Sequence, residues 1–354
     1  MNIRYETIKD ISLLLRKRGQ EATELRRLAN KVKLETVGGK VYLRGLIEFS
    51  NICQKNCFYC GIRRGNQTVH RYTLSREEVL AAARFAHKEG FGSVVLQSGE
   101  RTDEVFVAQI EELVDAVMQE SHGELGVTLS LGEQSSATYA RWKKAGASRY
   151  LLRIETSDAG LYTRLHPADH SFQQRLDCLV SLRETGYQVG SGIMIGLPGQ
   201  SVEQIAADLL FLKKIGVDMV GMGPYIEHRQ TPLWEERQKV PSLQERYDLS
   251  LNAWAVLRLL MPDINIAATT AIGSISSRGR QEAIYTAANV IMPNLTPYTC
   301  RKEYFLYENK ICLNENNEDG KADIERLIRA AGSEPGYFQQ GDSLYFVRRQ
   351  GAGN

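Results

Sequence analysis

Three cysteines fall within eight positions, as Cys53-Gln-Lys-Asn-Cys57-Phe-Tyr-Cys60. Spacings of three and then two intervening residues let one loop wrap three thiolates around a single face of a cubane iron–sulfur cluster, whose usual ligands are cysteine sulfurs. Three ligands leave one iron without a protein donor, and an open iron is where chemistry can be done. The alternative for the same residues is a structural zinc ion with His70 as fourth donor in a Cys3His set. Zinc modules, however, usually pair their ligands across a small fold instead of crowding three onto one loop. The remaining cysteines, Cys178, Cys300 and Cys312, are scattered through 354 residues, unlike the dense frameworks of short secreted domains. The crowded trio therefore reads as a metal site.

Charged, amide and hydroxyl residues recur at the ends of short β-branched segments: Ser50-Asn51, Gln97-Ser98-Gly99-Glu100, Ser130-Leu131-Gly132-Glu133, Arg153-Ile154-Glu155-Thr156, Thr269-Thr270 and Pro293-Asn294. A fold that gathers strand ends on one face would bring them together. Strands are expected at Leu43–Phe49, Ser93–Gln97, Val127–Leu131, Arg149–Glu155, Val189–Ile195, Asp218–Pro224, Asn265–Thr270 and Asn289–Met292. Helical patterns such as Arg76–Glu89, Asp103–Glu120, Ser135–Ala145 and Gln200–Ile215 lie between them. This alternation predicts an α/β fold, a complete (β/α)8 TIM-type barrel with its active site on the C-terminal face. A doubly wound open sheet is the second choice, but its Gly-rich dinucleotide turn after the first strand is missing. Ser98 and Thr156 have a plainer reading as helix N-caps.

Residues 1–40 read as an N-terminal helical extension, 41–312 as the barrel, and 313–354 as a C-terminal extension with a polar loop and a short helix at Ile324–Ala331. Hydrophobic residues make up 43%, charged residues 24%, and the net charge is +2. So even a balance gives no reason to expect nucleic acid as a partner. No apolar run reaches the about 18 residues that span a bilayer, and the first residues lack a signal core. A cytoplasmic protein that binds neither nucleic acid nor membrane is the expectation.

With these motifs assembled, the chain resembles radical S-adenosylmethionine (SAM) enzymes, and within them the [FeFe]-hydrogenase maturases of the HydE family, over nearly its whole length. The resemblance is carried by Phe49-Ser50-Asn51-Ile52-Cys53, Val95-Leu96-Gln97-Ser98-Gly99-Glu100, Leu129-Ser130-Leu131-Gly132-Glu133 and Arg149-Tyr150-Leu151-Leu152-Arg153. Gly196-Leu197-Pro198-Gly199-Gln200, Asp218-Met219-Val220-Gly221, Ala268-Thr269-Thr270-Ala271 and Val290-Ile291-Met292-Pro293-Asn294 continue it. The resemblance implies a [4Fe–4S] cluster on Cys53, Cys57 and Cys60, whose open iron chelates SAM and whose electron releases a 5′-deoxyadenosyl radical. It implies Tyr59 and Met219 against the adenine, Ser98-Gly99-Glu100 at the methionine ammonium, Glu155 on the ribose and Arg175 on the SAM carboxylate. Gln97, Arg153, Thr269, Thr270, Met292 and Tyr304 carry over to the cavity shared with the substrate, Arg153 as the cation for a substrate anion. The plainer readings are loop packing for Tyr59, an intramolecular pair with Glu133 or Glu155 for Arg153, a surface helix for Arg175, core packing for Met219 and Met292, and strand capping for Thr269 and Thr270. The implied substrate is a small iron–carbonyl–cyanide complex of cysteine, used in building the [2Fe] subcluster of the hydrogenase. The implied partners are HydG, HydF and an electron donor of flavodoxin or ferredoxin type.

Two departures from the family pattern stand out. Lys310-Ile311-Cys312 is present, but Gly320 and Asp323 stand where two further cysteines of a second cluster would be. Cys300 precedes Arg301 where a tyrosine is expected. Three alternatives remain: sulfur insertion as in biotin synthase, for which strand-borne auxiliary cysteines are lacking; a carbon-skeleton mutase like methylornithine synthase; and a non-enzymatic zinc scaffold.

Overall fold

The computed structural model describes residues 5–310 and 318–351, without the side chains of 318 and 319. Eight parallel strands form the barrel: β1 (Lys40–Ser50), β2 (Ser93–Ser98), β3 (Gly126–Ser130), β4 (Ala147–Leu151), β5 (Gln188–Ser191), β6 (Met219–Val220), β7 (Asn265–Ala268) and β8 (Val290–Ile291). They pair in chain order, and β8 returns to β1 with Tyr42 opposite Val290 and Leu43 opposite Ile291, which closes the sheet. Helices α1 (Ile8–Leu15) and α2 (Gly19–Thr36) precede the barrel. Around it run α3 (Arg76–Lys88), α4 (Glu104–Glu120), α5 (Ser136–Lys144), α6 (Ala159–Leu165), α7 (Phe172–Glu184), α8 (Val202–Ile215), α9 (Leu243–Leu260), α10 (Thr270–Ile275), α11 (Gly279–Thr286) and α12 (Tyr298–Arg301).

The helix starts are written locally. Ser75 with Glu78, Ser201 with Gln204 and Ser242 with Glu245 form capping boxes, and Asp103 and Asp158 cap α4 and α6. The side chains thereby satisfy backbone N–H groups that a helix leaves unpaired. Ser98 and Thr156 cap no helix; Ser98 donates to the Gly99 carbonyl, and Thr156 donates to Asp208. Helices α1 and α2 pack on α8 and α9.

Strand side chains alternate between the helix layer and the barrel interior. On β1, Leu43, Ile47 and Phe49 are fully buried in the outer core, while Arg44, Leu46 and Glu48 point inward. On β4 and just beyond it, Arg149, Leu151 and Arg153 share the inward parity. The interior is therefore layered: cations at the bottom, aliphatic residues in the middle, and polar groups at the C-terminal end.

Four expected strands end early, three of them around Arg153. The fourth stops at Leu151, and Glu155 keeps only an isolated bridge to Ile193. The fifth and sixth break after Ser191 and Val220, resuming as a two-residue pair, Met194–Ile195 with Gly223–Pro224. The cause is tertiary: the Arg153 side chain inserts at the break and takes the carbonyls that the ladder gives up. The expected seventh strand ends at Ala268, because Thr270 opens α10.

The C-terminal segment seals the bottom. Helix α13 (Glu318–Ala330) leads to β9 (Glu334–Gly336), which pairs parallel with the start of β1, before α14 (Leu344–Gly351). Between β9 and α14, Gly341 offers its carbonyl to Arg44 and Asn265, Gln340 offers its carbonyl to Arg149, and Asp342 pairs with Arg149. Burial, with Arg149's charge, holds the Arg44 guanidinium well below its ordinary range. Gly92, just before β2, lies so close to this segment that a Cβ would overlap the Gln339 carbonyl. Gly92→Ala should therefore lower stability by about 1–3 kcal/mol, the usual cost of overpacking. Urea unfolding of the purified chain checks this; an unchanged midpoint would mean that the segment is not held against the barrel.

Candidate active site

The cysteine loop leaves β1 and is clamped from outside by a residue that the motif does not reveal. Arg71 donates to the carbonyls of Asn51, Ile62 and Arg63 at 2.7 Å each and of Asn66 at 3.1 Å. Asn51 donates to the carbonyls of His70 and Glu303. Gly99 serves this loop directly, since a Cβ there would overlap Ile52 and Cys53. Cys53, Cys57 and Cys60 are half-buried free thiols. Burial raises the pKa of all three, that of Cys57 to about 12; Cys53 raises Cys57 further, and both of them raise Cys60 further. Three ionised sulfurs thus need a cation among them. Cys53 Sγ already accepts the N–H groups of Lys55 and Glu100, at 3.4 and 3.3 Å.

His70 is exposed and does not join the thiols. The nitrogens that do are those of His166 and His170, grouped with Cys57 within 4.8 Å of one another. Burial lowers the two histidines to about 3 and about 4, so both are neutral at physiological pH. The Cys3His70 zinc set therefore loses its fourth donor.

Beside the loop, four charges interlock. Glu133 accepts from Arg175 at 2.6 Å and from Lys55 at 2.8 Å, and Lys55 lies 3.3 Å from Glu100. Burial pushes Glu100 above the usual carboxylate range. In Glu133 burial is outweighed by Arg175 and Lys55, and its pKa falls. Arg175 is buried, not on a helix surface, and also donates to the Arg153 carbonyl at 2.8 Å. The structure thus brings Glu100 and Arg175 to the loop with partners already in place; Lys55, inside the cysteine motif, is the partner that the motif reading missed.

Arg153 and Glu155 form the second charged group. Arg153 Nε and Nη2 donate to the two Glu155 oxygens at 2.9 Å each, while Nη1 reaches the Gly221 carbonyl at 2.7 Å and Nη2 the Ile193 carbonyl at 2.9 Å. This corrects the expectation of a spare cation awaiting a substrate anion: Glu155 supplies the charge, and two strand carbonyls take the remaining donors. Glu155 itself sits at φ 64°, a left-handed conformation rare for a side-chain-bearing residue.

A cavity of about 250 Å³ opens at the C-terminal end of the barrel. Tyr59, Cys60 and Glu155 are on its wall, as are Gln97, Arg153, Thr269, Thr270 and Met292. Ser98, Gly99, Glu100 and Arg175 are not; they stand behind the cysteine loop. Met219 is a core residue, its sulfur accepting from Arg44 at 2.8 Å in the lower barrel, and Met194 joins Met292 as a thioether that lines the cavity. Tyr304 is buried behind the wall, bonded to Gln97. Tyr307, three residues on, reaches the wall in its place, its hydroxyl 2.8 Å from Thr270 Oγ1. Thr269 donates to the Met222 carbonyl. Glu48 and Lys310, also lining, form a buried ion pair that Asn294 supports at 3.0 Å. Cys300 is on α12 and off the cavity wall, and Cys312 lies outside the described residues.

Residues 47–212 match the Radical SAM superfamily. The [FeFe] hydrogenase maturase subunit HydE of Thermotoga maritima is 44% identical over 310 residues, covering 88% of this chain and 86% of the relative. The chain belongs to the HydE family of radical SAM enzymes. A 3-methylornithine synthase of Methanosarcina acetivorans is 30% identical, over 92% of this chain and 89% of its own length. The crystal structure of methylornithine synthase (PylB) superposes with a TM-score of 0.80 at 26% identity, covering 95% of each chain. That of HydG, at 21% identity and a TM-score of 0.78 over 99% of this chain and 78% of its own, shares the fold.

As a radical SAM enzyme of the HydE family, the chain uses a [4Fe–4S] cluster and SAM as cofactors. The donor chemistry fits: three converging thiols that burial disfavours as anions, two N–H groups already aimed at one sulfur, and a cavity that begins at Cys60. The Arg153–Glu155 pair is integral to this architecture. Arg153→Met would leave the Glu155 carboxylate and two carbonyls unpaired, at a cost of about 2–4 kcal/mol; the full range for a broken buried pair is reduced because the side chain is 30% exposed. Chemical unfolding of the cluster-free chain measures this, and wild-type stability would show that the pair does not hold the strand break.

Proposed function

We propose that this chain acts in the cytoplasm in building the [2Fe] subcluster of an [FeFe]-hydrogenase, taking a small cysteine-derived iron–carbonyl–cyanide complex as substrate. The observation that carries the reading is kinship to HydE along nearly the whole chain, joined to a cavity with cofactor-side groups and hydroxyl groups on one wall. Cys53, Cys57 and Cys60 would hold the cluster. Bound there, the cluster and SAM supply a 5′-deoxyadenosyl radical.

The residues of the chain do the rest by position. Glu155 is held by Arg153 with its carboxylate on the cavity wall, suited to accept from ribose hydroxyls, and Tyr59 offers an aromatic face beside it. Thr270 and Tyr307, joined through their hydroxyls, with Thr269, Gln97 and Met292, present polar edges and a soft sulfur to the substrate. The apolar wall of Leu46, Leu151, Ile226 and Leu306 keeps water away from a reactive radical. HydG is proposed as the source of the substrate, HydF as the recipient of the product, and a flavodoxin or ferredoxin as the electron donor. A second reading, a carbon-skeleton mutase, is favoured by the match to methylornithine synthase.

Anaerobically reconstituted wild-type protein should carry about four irons per chain, as the cluster stoichiometry requires, and form 5′-deoxyadenosine from SAM. Alanine at Cys53, Cys57 or Cys60 should abolish both. The chain should replace HydE in a cell-free maturation mixture with HydG and HydF, yielding active hydrogenase. Full SAM cleavage with no hydrogenase activity, and a rearranged amino-acid skeleton as product, would overturn the maturase reading in favour of the mutase.

A further inference from the structure

His170 closes the loop between α6 and α7, 113 residues from Cys57 in sequence, and its Nδ1 lies 3.9 Å from the Cys57 sulfur. The opposite nitrogen fixes which way that contact runs. Nε2 of His170 accepts the backbone N–H of Asn56 at 3.4 Å, so its lone pair faces that donor and the ring proton is on Nδ1, toward sulfur. The Asp169 carboxylate is 3.7 Å from Nε2 and 60% exposed, too far to reverse this assignment. The ring is also fixed in orientation. It stacks on His166 with centroids 5.4 Å apart, His166 stacks on Tyr162 at 4.0 Å, and His166 Nδ1 donates to the Tyr162 carbonyl at 2.8 Å. The Tyr59 hydroxyl is a second donor within reach of the same sulfur, although His166 Nε2 competes for it at 3.4 Å. The backbone N–H groups aimed at cysteine sulfur in this loop go to Cys53, from Lys55 and Glu100, and to Cys60, from Ile62.

We propose that His170 is a positioning residue for the cluster, donating its Nδ1–H to the Cys57 sulfur and thereby raising the cluster's reduction potential. The proposal rests on the reading of Cys57 as an iron ligand. Reduction adds one electron, shared onto the sulfurs, and a hydrogen bond there stabilises the reduced form more than the oxidised one. The placement is specific to the histidine. A ring without N–H would keep the stacking and lose the donor, and an amide side chain would restore a donor without the ring.

The experiment uses the full chain, reconstituted under anaerobic conditions and poised with dithionite, with the reduced cluster followed by electron paramagnetic resonance. His170→Phe should hold the same iron per chain while its oxidised-to-reduced equilibrium shifts about tenfold toward oxidised, 59 mV lower for a one-electron couple. His170→Gln should recover part of that shift. A Phe variant with full iron and an unchanged potential would overturn the proposal. Wild-type protein labelled with 15N-histidine gives an independent reading, should the Phe variant assemble poorly. One imidazole nitrogen should couple magnetically to the reduced cluster, and absence of any such coupling would also overturn it. If the wild-type chain holds no iron at all, the cluster reading itself fails, an outcome distinct from either of these.

Discussion

The Arg153–Glu155 pair is the constraint around which the upper half of the barrel is arranged. A parallel ladder continued through Ile193 and Gly221 would keep their carbonyls within the strand pairing. One guanidinium instead takes the carbonyls of both residues, and its charge is met by Glu155. Gly192 makes the break possible, since any side chain there would run into the Gly221 carbonyl. Glu155, held at positive φ, accepts the Met194 N–H and donates its own N–H to Gly192, which turns the chain outward around the space that opens. Conformations of this kind persist where the surroundings over-determine them, as they do here.

The cysteine loop follows the same logic at a different place. Its backbone polar groups are gathered by Arg71 and Asn51, and its flank is neutralised by Lys55, Glu100, Glu133 and Arg175 acting together. Each of these charges would be costly alone in a site this buried, and removing one would strand the others. Such a network contributes less to net stability than to holding three sulfurs in one arrangement before anything binds.

Much of this was legible in the sequence, and what was not has a common origin. β1, β2 and β3 fall within a few residues of expectation because their apolar, β-branched runs reflect burial in the outer core. The strands around Arg153 were read as longer than they are, because the break is made by a side chain from a neighbouring strand, which no local pattern records. The same blindness made Arg153 look like an unpartnered cation: the carbonyls that receive it belong to residues 40 and 68 positions away. Met219 was drawn toward the ligand by its motif, whereas inward parity low on a strand places it against Arg44. His166 and His170 went unnoticed beside the cysteines; their spacing of four in a chain with six histidines was the available signal.

The seal at the foot of the barrel has a consequence for how the molecule is made. Arg44 and Arg149 are synthesised well before the groups that receive them, the carbonyls of Gln340 and Gly341 and the Asp342 carboxylate. At about 5–20 residues per second of synthesis, a nascent chain holds all eight barrel strands for several seconds before those partners leave the ribosome. During that interval two guanidiniums inside the barrel must stay hydrated, so the lower end stays wet and the sheet loosely closed. Closure of the lower end thus depends on residues that are made only after the last barrel strand.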